Sequence, residues 1–443
     1  MKKIIILSFI CLVLPWTAGS KNSDQKLNLL AGTAKVDITP TEEPVHDPIY
    51  ARSLLLDIDN KRFAIVSVDL PGMSGDRVKK ICKEKFGVDH LILCSTHNHS
   101  APFRFSKKDY TAFYEEKVLE CIEKASADLF EATICAGRKS FPQLGFIRLI
   151  VRDDGHARES WFHDEQHSYL NRERIPYGPV DDEVGVLKIS DKNGNPKVII
   201  MNYACHPDAV CDNYEISADY PGVATRKVED AFDNKVNCLF VNGAGGNVAP
   251  LFTVPRRTGP DDPLKTDYSQ MDKMGETLAY HTVKVAKSIK PLEEQTSVRY
   301  MEDSLLFTGR FDKSLAFNVH LGTLLINDDI LIGTSPGELF TQLSIDWKQK
   351  MQKEVSNPLF FGYTWIEGGS PGYVPDIKGA ALGGFGADQS DRMVEVGAGE
   401  QIMNRFYENY FRLDGLMRNE TGPSGFTRGP RWEVILIPSE QKK

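Results

Sequence analysis

Past its first 20 residues the sequence contains no apolar run long enough for a membrane-spanning helix, no internal repeat and no low-complexity tract. These absences exclude a helical membrane bundle, a solenoid and a largely disordered chain. Positive charge is short as well: 53 Lys and Arg stand against 61 Asp and Glu, a net charge of −8 with both signs interspersed. Such a chain offers no basic stripe for a phosphate backbone, so nucleic acid is excluded as a partner. Cysteine is scarce, eight in 443 residues, and one of these, Cys11, lies in the leader. An odd remainder at irregular spacing is not a disulfide framework. Cys205 and Cys211 are close enough in sequence to be bridged, and several of the others sit in apolar runs as small buried hydrophobes.

What is present begins with a leader. Lys2 and Lys3 precede an apolar core from Ile4 to Leu14, and Ala18-Gly19-Ser20 offers small residues for cleavage. That pattern is a secretory signal over residues 1–20, its core too short to cross a bilayer. Ser8-Phe9-Ile10, ahead of Cys11, is no lipid-attachment site. The expectation is an exported protein, periplasmic or extracellular, with residues 21–443 forming one domain.

Alternating strand and helix patterns predict an α/β fold with mixed, largely parallel sheets flanked by helices and ligands on loops at strand ends. Helices are expected around Asp76–Phe86, Tyr110–Leu129, Tyr220–Phe232, Tyr268–Ser288 and Pro336–Met351. Gly145–Pro179, rich in charge, His, Tyr and Gly without a clear period, reads as a long functional loop. Glycine-dense Gly368–Gly399 reads as coil, and Trp432–Ile437 as a last short strand.

Four apolar strands stop abruptly in chemically loaded loops. His90–Cys94 ends in Thr96-His97-Asn98-His99, and Val198–Ala204 ends in Cys205-His206-Pro207-Asp208. Val236–Val241 ends in Asn242-Gly243-Ala244-Gly245-Gly246-Asn247, and Ile330–Gly333 in Thr334-Ser335-Pro336-Gly337-Glu338. In open α/β sheets ligands collect outside the carboxyl ends of the strands, so parallel strands of one sheet would bring all four loops together. Each loop also has a structural reading. The histidines can cap strand ends through hydrogen bonds, and Ser335-Pro336-Gly337-Glu338 fits a capping box. The glycines fit a tight turn, or a backbone that a substrate approaches closely. Taken as a set, two His and one Glu from different strand ends make the N, N, O shell of a catalytic zinc with an open position.

At these residues the sequence resembles the catalytic, N-terminal domain of the neutral/alkaline non-lysosomal ceramidases, zinc-dependent amidases that cut the N-acyl bond of ceramide. The matching segments are Ala31-Gly32 with Asp37-Ile38-Thr39-Pro40, Val68-Asp69, Thr96–Pro102, Asn202–Pro207, Ser217–Gly222, Gly245–Pro250 and Pro336-Gly337-Glu338. The resemblance implies zinc held by His97, His206, Glu338 and Tyr373, with His99 and Arg148 as the catalytic, substrate-facing pair. Ile147 stands where that family usually has Asn before the arginine. Gly245, Gly246 and Asn247 would face substrate, and Asp69 and Asp219 are candidates to orient a ligand imidazole or to form buried ion pairs.

Two departures bear on the substrate. Ala249 stands where the family carries a serine, which removes any serine-based step at that position, and the chain is too short for the family's C-terminal immunoglobulin-like domain. The expectation is therefore a zinc-dependent hydrolase of a linear amide in a small or lipid-like acylated substrate. Two alternatives stay open. One is a hydrolase of polar or glycan-derived acyl compounds, which the aromatic and charged loop Phe162–Tyr177 would suit; the other is an inactive binding protein.

Overall fold

The computed structural model describes residues 29–142, 144–159, 179–210, 213–252, 266–290, 297–364, 370–389 and 392–417. The leader, Cys211 and hence its bridge to Cys205, the loop Phe162–Tyr177 and the strand Trp432–Ile437 lie outside these residues. In chain order the first half runs β1 (Leu30–Asp37), β2 (Tyr50–Ile58), β3 (Lys61–Val68), α1 (Asp76–Phe86), β4 (His90–Ser95), α2 (Thr111–Ala127), β5 (Phe130–Ser140), β6 (Gly145–Ile147), β7 (Leu149–Val151), β8 (Ala157–Glu159), β9 (Glu183–Asp191), β10 (Pro196–Tyr203), α3 (Asp219–Ala231), β11 (Asn237–Asn242) and β12 (Val248–Pro250). The second runs α4 (Ser269–Ser288), β13 (Val298–Thr308), β14 (Ala316–Ile326), β15 (Ile330–Thr334), β16 (Glu338–Leu339), α5 (Thr341–Met351), β17 (Asn357–Phe361), β18 (Tyr373–Val374), α6 (Ile377–Leu382) and α7 (Ala398–Leu413).

Two main sheets result, an eight-stranded one ordered β11-β10-β9-β5-β1-β2-β3-β4 and a four-stranded one ordered β13-β14-β15-β17. The strands read as continuous apolar runs because most are covered on both faces. In β10, Val198 and Ile200 point one way and Ile199, Met201 and Tyr203 the other; the first pair enters the core between the sheets, the second a core under α3 and α4. β4 divides likewise, Ile92 and Cys94 inward and Leu91 and Leu93 toward α1 and α2. In the smaller sheet Ile330, Ile332, Leu359 and Phe361 close the central core, while Leu331 and Phe360 meet α5 and α7. Each such aliphatic side chain contributes roughly 1.5–3 kcal/mol by leaving water, so the inner faces hold the two sheets together.

The α/β class, mixed sheets and flanking helices are those expected. The balance between strand directions differs: antiparallel pairs outnumber parallel ones among the described residues. The parallel pairs of the main sheets are β3 with β4, β10 with β11, and β15 with β17. Each closes a strand–helix–strand unit, through α1, α3 and α5, because a parallel return needs a crossover. The four loaded strand ends therefore belong to these units, but to two sheets rather than one. Backbone hydrogen bonds tie the ends together: Thr96 N–H to Val68 O, Ser95 N–H to Tyr363 O, Gly362 N–H to Asn242 O and Ser335 N–H to Phe361 O.

Three local expectations are corrected. The helix expected from Pro336 starts at Thr341, and Glu338 lies in the two-residue strand β16, paired with Tyr373 of β18. Gly337, at φ 87°, turns the chain out of any helix there, so the capping box does not form. Gly145–Pro179 contains β6, β7 and β8 within its described part, and Gly368–Gly399 contains β18, α6 and the start of α7.

Candidate active site

The loop after β4 takes its shape from one unusual residue. His97 adopts φ 67°, a left-handed conformation that costs a non-glycine residue about 1–2 kcal/mol. Its backbone N–H donates to Leu70 O, and Nδ1 lies 2.7 Å from Pro71 O. Behind it Asn98, fully buried, donates to Asp69 O at 2.8 Å. Asp69 accepts from Tyr50 N–H and from Arg52, a guanidinium only 2% exposed that also reaches Thr225. Burial pushes the Asp69 carboxyl up and Arg52 pulls it back. Asp69 thus braces the turn that carries Pro71 and does not touch the imidazole.

His206 is held in the same manner. Its Nδ1 lies 2.7 Å from Gly245 O, and its ring has no exposed surface. Asp219, at φ 53°, accepts from the backbone N–H of Ala209, Val210 and Tyr220, fixing the turn that follows His206. A carbonyl oxygen only accepts, so in both histidines Nδ1 carries the proton and the Nε2 lone pair faces the other way. Both point at one oxygen. Glu338 Oε2 is 3.0 Å from His206 Nε2 and 3.5 Å from His97 Nε2. Two lone pairs aimed at a carboxylate oxygen repel unless a proton or a cation lies among them, and paired ring nitrogens with backbone acceptors are how proteins present metal ligands.

Electrostatics agree with that arrangement. Burial, with Arg148 nearby, lowers the His206 pKa to about 4, so the ring is neutral and able to ligate. Burial would raise Glu338; charged imidazoles would hold its carboxyl well below the usual range, and with both rings neutral that stabilisation would have to come from a cation held among them. The nitrogens of His97, His99 and His206 all lie within 4.8 Å of one another, so His99 also stands within the candidate donor group. The His99 ring is 5.2 Å from that of His97 and 5.8 Å from that of His206. The residues present fit a zinc ion, with His97, His206 and Glu338 as the N, N, O set and Tyr373 beside them. The Tyr373 ring stacks 6.4 Å from that of His206, and its hydroxyl lies within electrostatic reach of Glu338 and Arg148.

Arg148 follows β6, whose pairing with β12 sets it against the glycine turn. Its backbone N–H donates to Asn247 O, its guanidinium to Gly246 O at 2.7 Å, and the cation lies over Tyr373 and Phe385 at 5.2 and 5.0 Å. The Cβ that Gly246 lacks would fall 2.2 Å from Glu338 O. That glycine lets the Glu338 segment pack onto the turn after β11. The N–H groups of Gly243, Gly245 and Gly246 donate to Tyr203 O, Gly243 O and Leu339 O, and Asn247 Oδ1 accepts from Thr341 N–H. The N–H groups of these three glycines are thus engaged within the fold, and the turn shapes the site. Ala249, 2% exposed, pairs with Phe146 in the β6–β12 ladder.

Two residues were not singled out from sequence. Tyr363, after β17, packs its ring 4.5 Å from that of His97. The same strand-end logic that selected the other loops would have found it. Glu159, 5% exposed, has no hydrogen-bond partner on either oxygen among the described residues, and burial raises it to about 7 against the pull of Arg148. Nothing in its charged, aperiodic surroundings marks it.

The fold defines the class first: a mixed α/β protein with its site where three strand–helix–strand units end. No family model and no curated protein matches the chain. Among solved structures it is similar to a neutral ceramidase from Pseudomonas aeruginosa, at 14% identity and TM-score 0.65, over 88% of this chain and 75% of that one. It is also similar to a ceramidase complexed with C2, at 15% identity and TM-score 0.67, over 90% and 77%. At these identities the likeness is one of fold.

Proposed function

We propose that this chain is an exported, zinc-dependent hydrolase of a linear amide bond, a ceramidase-like N-acyl hydrolase. One observation carries the reading: His97 and His206, each proton-bearing on Nδ1 through a backbone carbonyl, turn both Nε2 lone pairs onto Glu338. The fold shared with the ceramidase structures supports it. The leader at residues 1–20 supports export, and no helix among the described residues is long and apolar enough to cross a membrane.

Zinc at this position supplies a nucleophilic oxygen near neutral pH and polarises an acyl carbonyl. His97, His206 and Glu338 would hold it, with Tyr373 as the fourth protein ligand. Arg148 remains cationic because Tyr373, Glu338 and Glu159 together outweigh its burial. That buried cation favours the negative charge that develops on the acyl oxygen as the carbonyl is attacked. His99 passes a proton to the leaving nitrogen as the C–N bond breaks, so the products are a carboxylic acid and an amine. Ala249 takes no part.

A second reading, with a smaller and more polar acylated substrate, rests on the charged pair Arg148 and Glu159, both buried and within electrostatic reach of each other. A long acyl chain recovers about 0.8 kcal/mol per buried CH₂ only from apolar surface. The test is metal analysis followed by a substrate panel. The protein should purify with about one zinc per chain. His97→Ala and His206→Ala should each lose the metal and all turnover. Full zinc occupancy in the double variant would put the metal elsewhere. In a panel of N-acyl sphingoids, N-acyl amino acids and N- or O-acetylated sugars, preference for long-chain ceramide favours the first reading. Preference for the polar compounds favours the second, and no turnover of any overturns both.

A further inference from the structure

The hydroxyl of Tyr363 is buried and has no hydrogen-bond partner among the described residues. Leaving a buried hydroxyl unpaired destabilises the fold, and phenylalanine would fill the same space without that cost. Its backbone adds to the anomaly. Tyr363 sits at φ 55°, where a bulky side chain is disfavoured, and is held there while its carbonyl accepts from Ser95 N–H at 3.1 Å. Backbone strain and an unpaired polar atom in one residue are expected where a side chain is aimed for a purpose other than packing.

The aim is toward the reacting centre. The ring lies 4.5 Å from that of His97 at 37° and 6.1 Å from that of His206 at 89°, so it forms a wall of the histidine cluster. The phenol lies within electrostatic reach of Glu338, Tyr373 and Arg148. The Ser335 hydroxyl, also near the site, is engaged by Pro336 O. Ala249 offers none. Burial pushes the Tyr363 phenol up from its ordinary range, so the hydroxyl keeps its proton at neutral pH and can donate a hydrogen bond.

We propose that Tyr363 is a catalytic residue whose hydroxyl donates a hydrogen bond to the acyl oxygen of the substrate. The bond strengthens as water adds to the carbonyl carbon and the oxygen becomes an oxyanion. The proton stays on the phenol, and charge on that oxygen collapses back when the C–N bond breaks. Tyr363 and Arg148 thus act on the same developing charge, the tyrosine from the His97 side and the arginine from the glycine turn.

This inference rests on the hydrolase reading, and the experiment separates their failures. Tyr363→Phe keeps the ring against His97 and removes only the hydroxyl. Its zinc content should equal wild type and its thermal stability should be unchanged or slightly raised. kcat on the best substrate of the panel should fall about 10²- to 10³-fold with KM little changed, as for loss of one oxyanion donor. Affinity for a phosphonate analogue of that substrate, measured by calorimetry on the zinc-loaded protein, should fall in parallel. Wild-type kcat and analogue affinity in Tyr363→Phe would overturn the proposal and leave the hydrolase reading intact. Loss of zinc in this variant would overturn it too, by making the hydroxyl part of the metal site. A wild-type protein that neither turns over nor binds the analogue removes both.

Discussion

Asp219 and Glu159 are both buried carboxylates raised by burial to about 7, yet they sit in opposite kinds of surroundings. Asp219, behind His206, accepts three backbone N–H bonds and locks a turn. Glu159, beside Arg148, accepts none. Asp208, which follows the His206-Pro207 pair, raises both, so they flank one centre. The difference separates two functions within the site. On the histidine side the bonds that aim the imidazoles are made, His97 to Pro71 O, His206 to Gly245 O and Asp219 to its three amides, and rigidity is what those bonds supply. At Glu159 and at Tyr363, buried polar atoms have no hydrogen-bond partner among the described residues. Native proteins satisfy nearly all buried polar atoms, so a concentration of exceptions marks where a ligand is to supply the bonds.

The largest effect is expected where the satisfied side is broken. Asp219→Ala leaves three backbone donors without their acceptor and puts a β-carbon at φ 53° with no compensating bond. Loss of about 3 kcal/mol is expected in chemical denaturation. Activity should fall with it, because Ala209 and Val210 continue directly from the His206 segment. A change below 0.5 kcal/mol would mean that the turn is held by other contacts and that the two sides do not differ in this way.

Next comes the contact that joins the sides. Gly246→Ala places a methyl 2.2 Å from Glu338 O and 2.8 Å from Leu339 O, both backbone atoms that cannot swing aside. The Glu338 segment must shift. Misplacement by about 1 Å is enough for a loss of about 100-fold in kcat/KM, with zinc affinity falling as well. Gly72→Ala, where a β-carbon meets nothing within 4 Å, is the control and should be silent. Equal effects of the two substitutions would show that the Gly246 packing does not set the position of Glu338.

How much of this was legible in sequence follows the same division. Strands buried on both faces announce themselves as apolar runs, so β3, β4, β10, β11 and β15 and the histidines that end them could be read directly. α1, α3 and α4 lie within one or two residues of expectation. Glu338 was readable as a site residue and misreadable as a cap, since Ser335-Pro336-Gly337-Glu338 has the composition of a capping box while Gly337 turns the chain away. The glycine turn was legible as a place of close approach, but composition does not say what approaches, and here it is Glu338. Tyr363 and Glu159 differ in kind. A tyrosine after an apolar strand and a glutamate in a charged segment look ordinary, and only the absence of partners in three dimensions sets them apart.

The smallest expected effect sharpens the contrast at Glu159 itself. An acid raised to about 7 in the folded state from an ordinary 4.5 binds more protons folded than unfolded throughout that interval. Its contribution to stability therefore declines as pH rises from about 4.5 to about 7 and is flat above. Glu159→Gln keeps the shape and removes the titration. Near pH 5 the variant should match wild type, and at pH 8 it should be the more stable by on the order of 2 kcal/mol, the value of about 7 already including the attraction of Arg148. Asp219→Asn behaves differently, because the amide turns a donor toward one of the N–H groups that Asp219 accepts, and it should be less stable at both pH values. Denaturation of both variants at the two pH values decides the point. If Glu159→Gln is the weaker protein at pH 8, the glutamate serves as the counter-ion that holds Arg148, and the two carboxylates are alike after all.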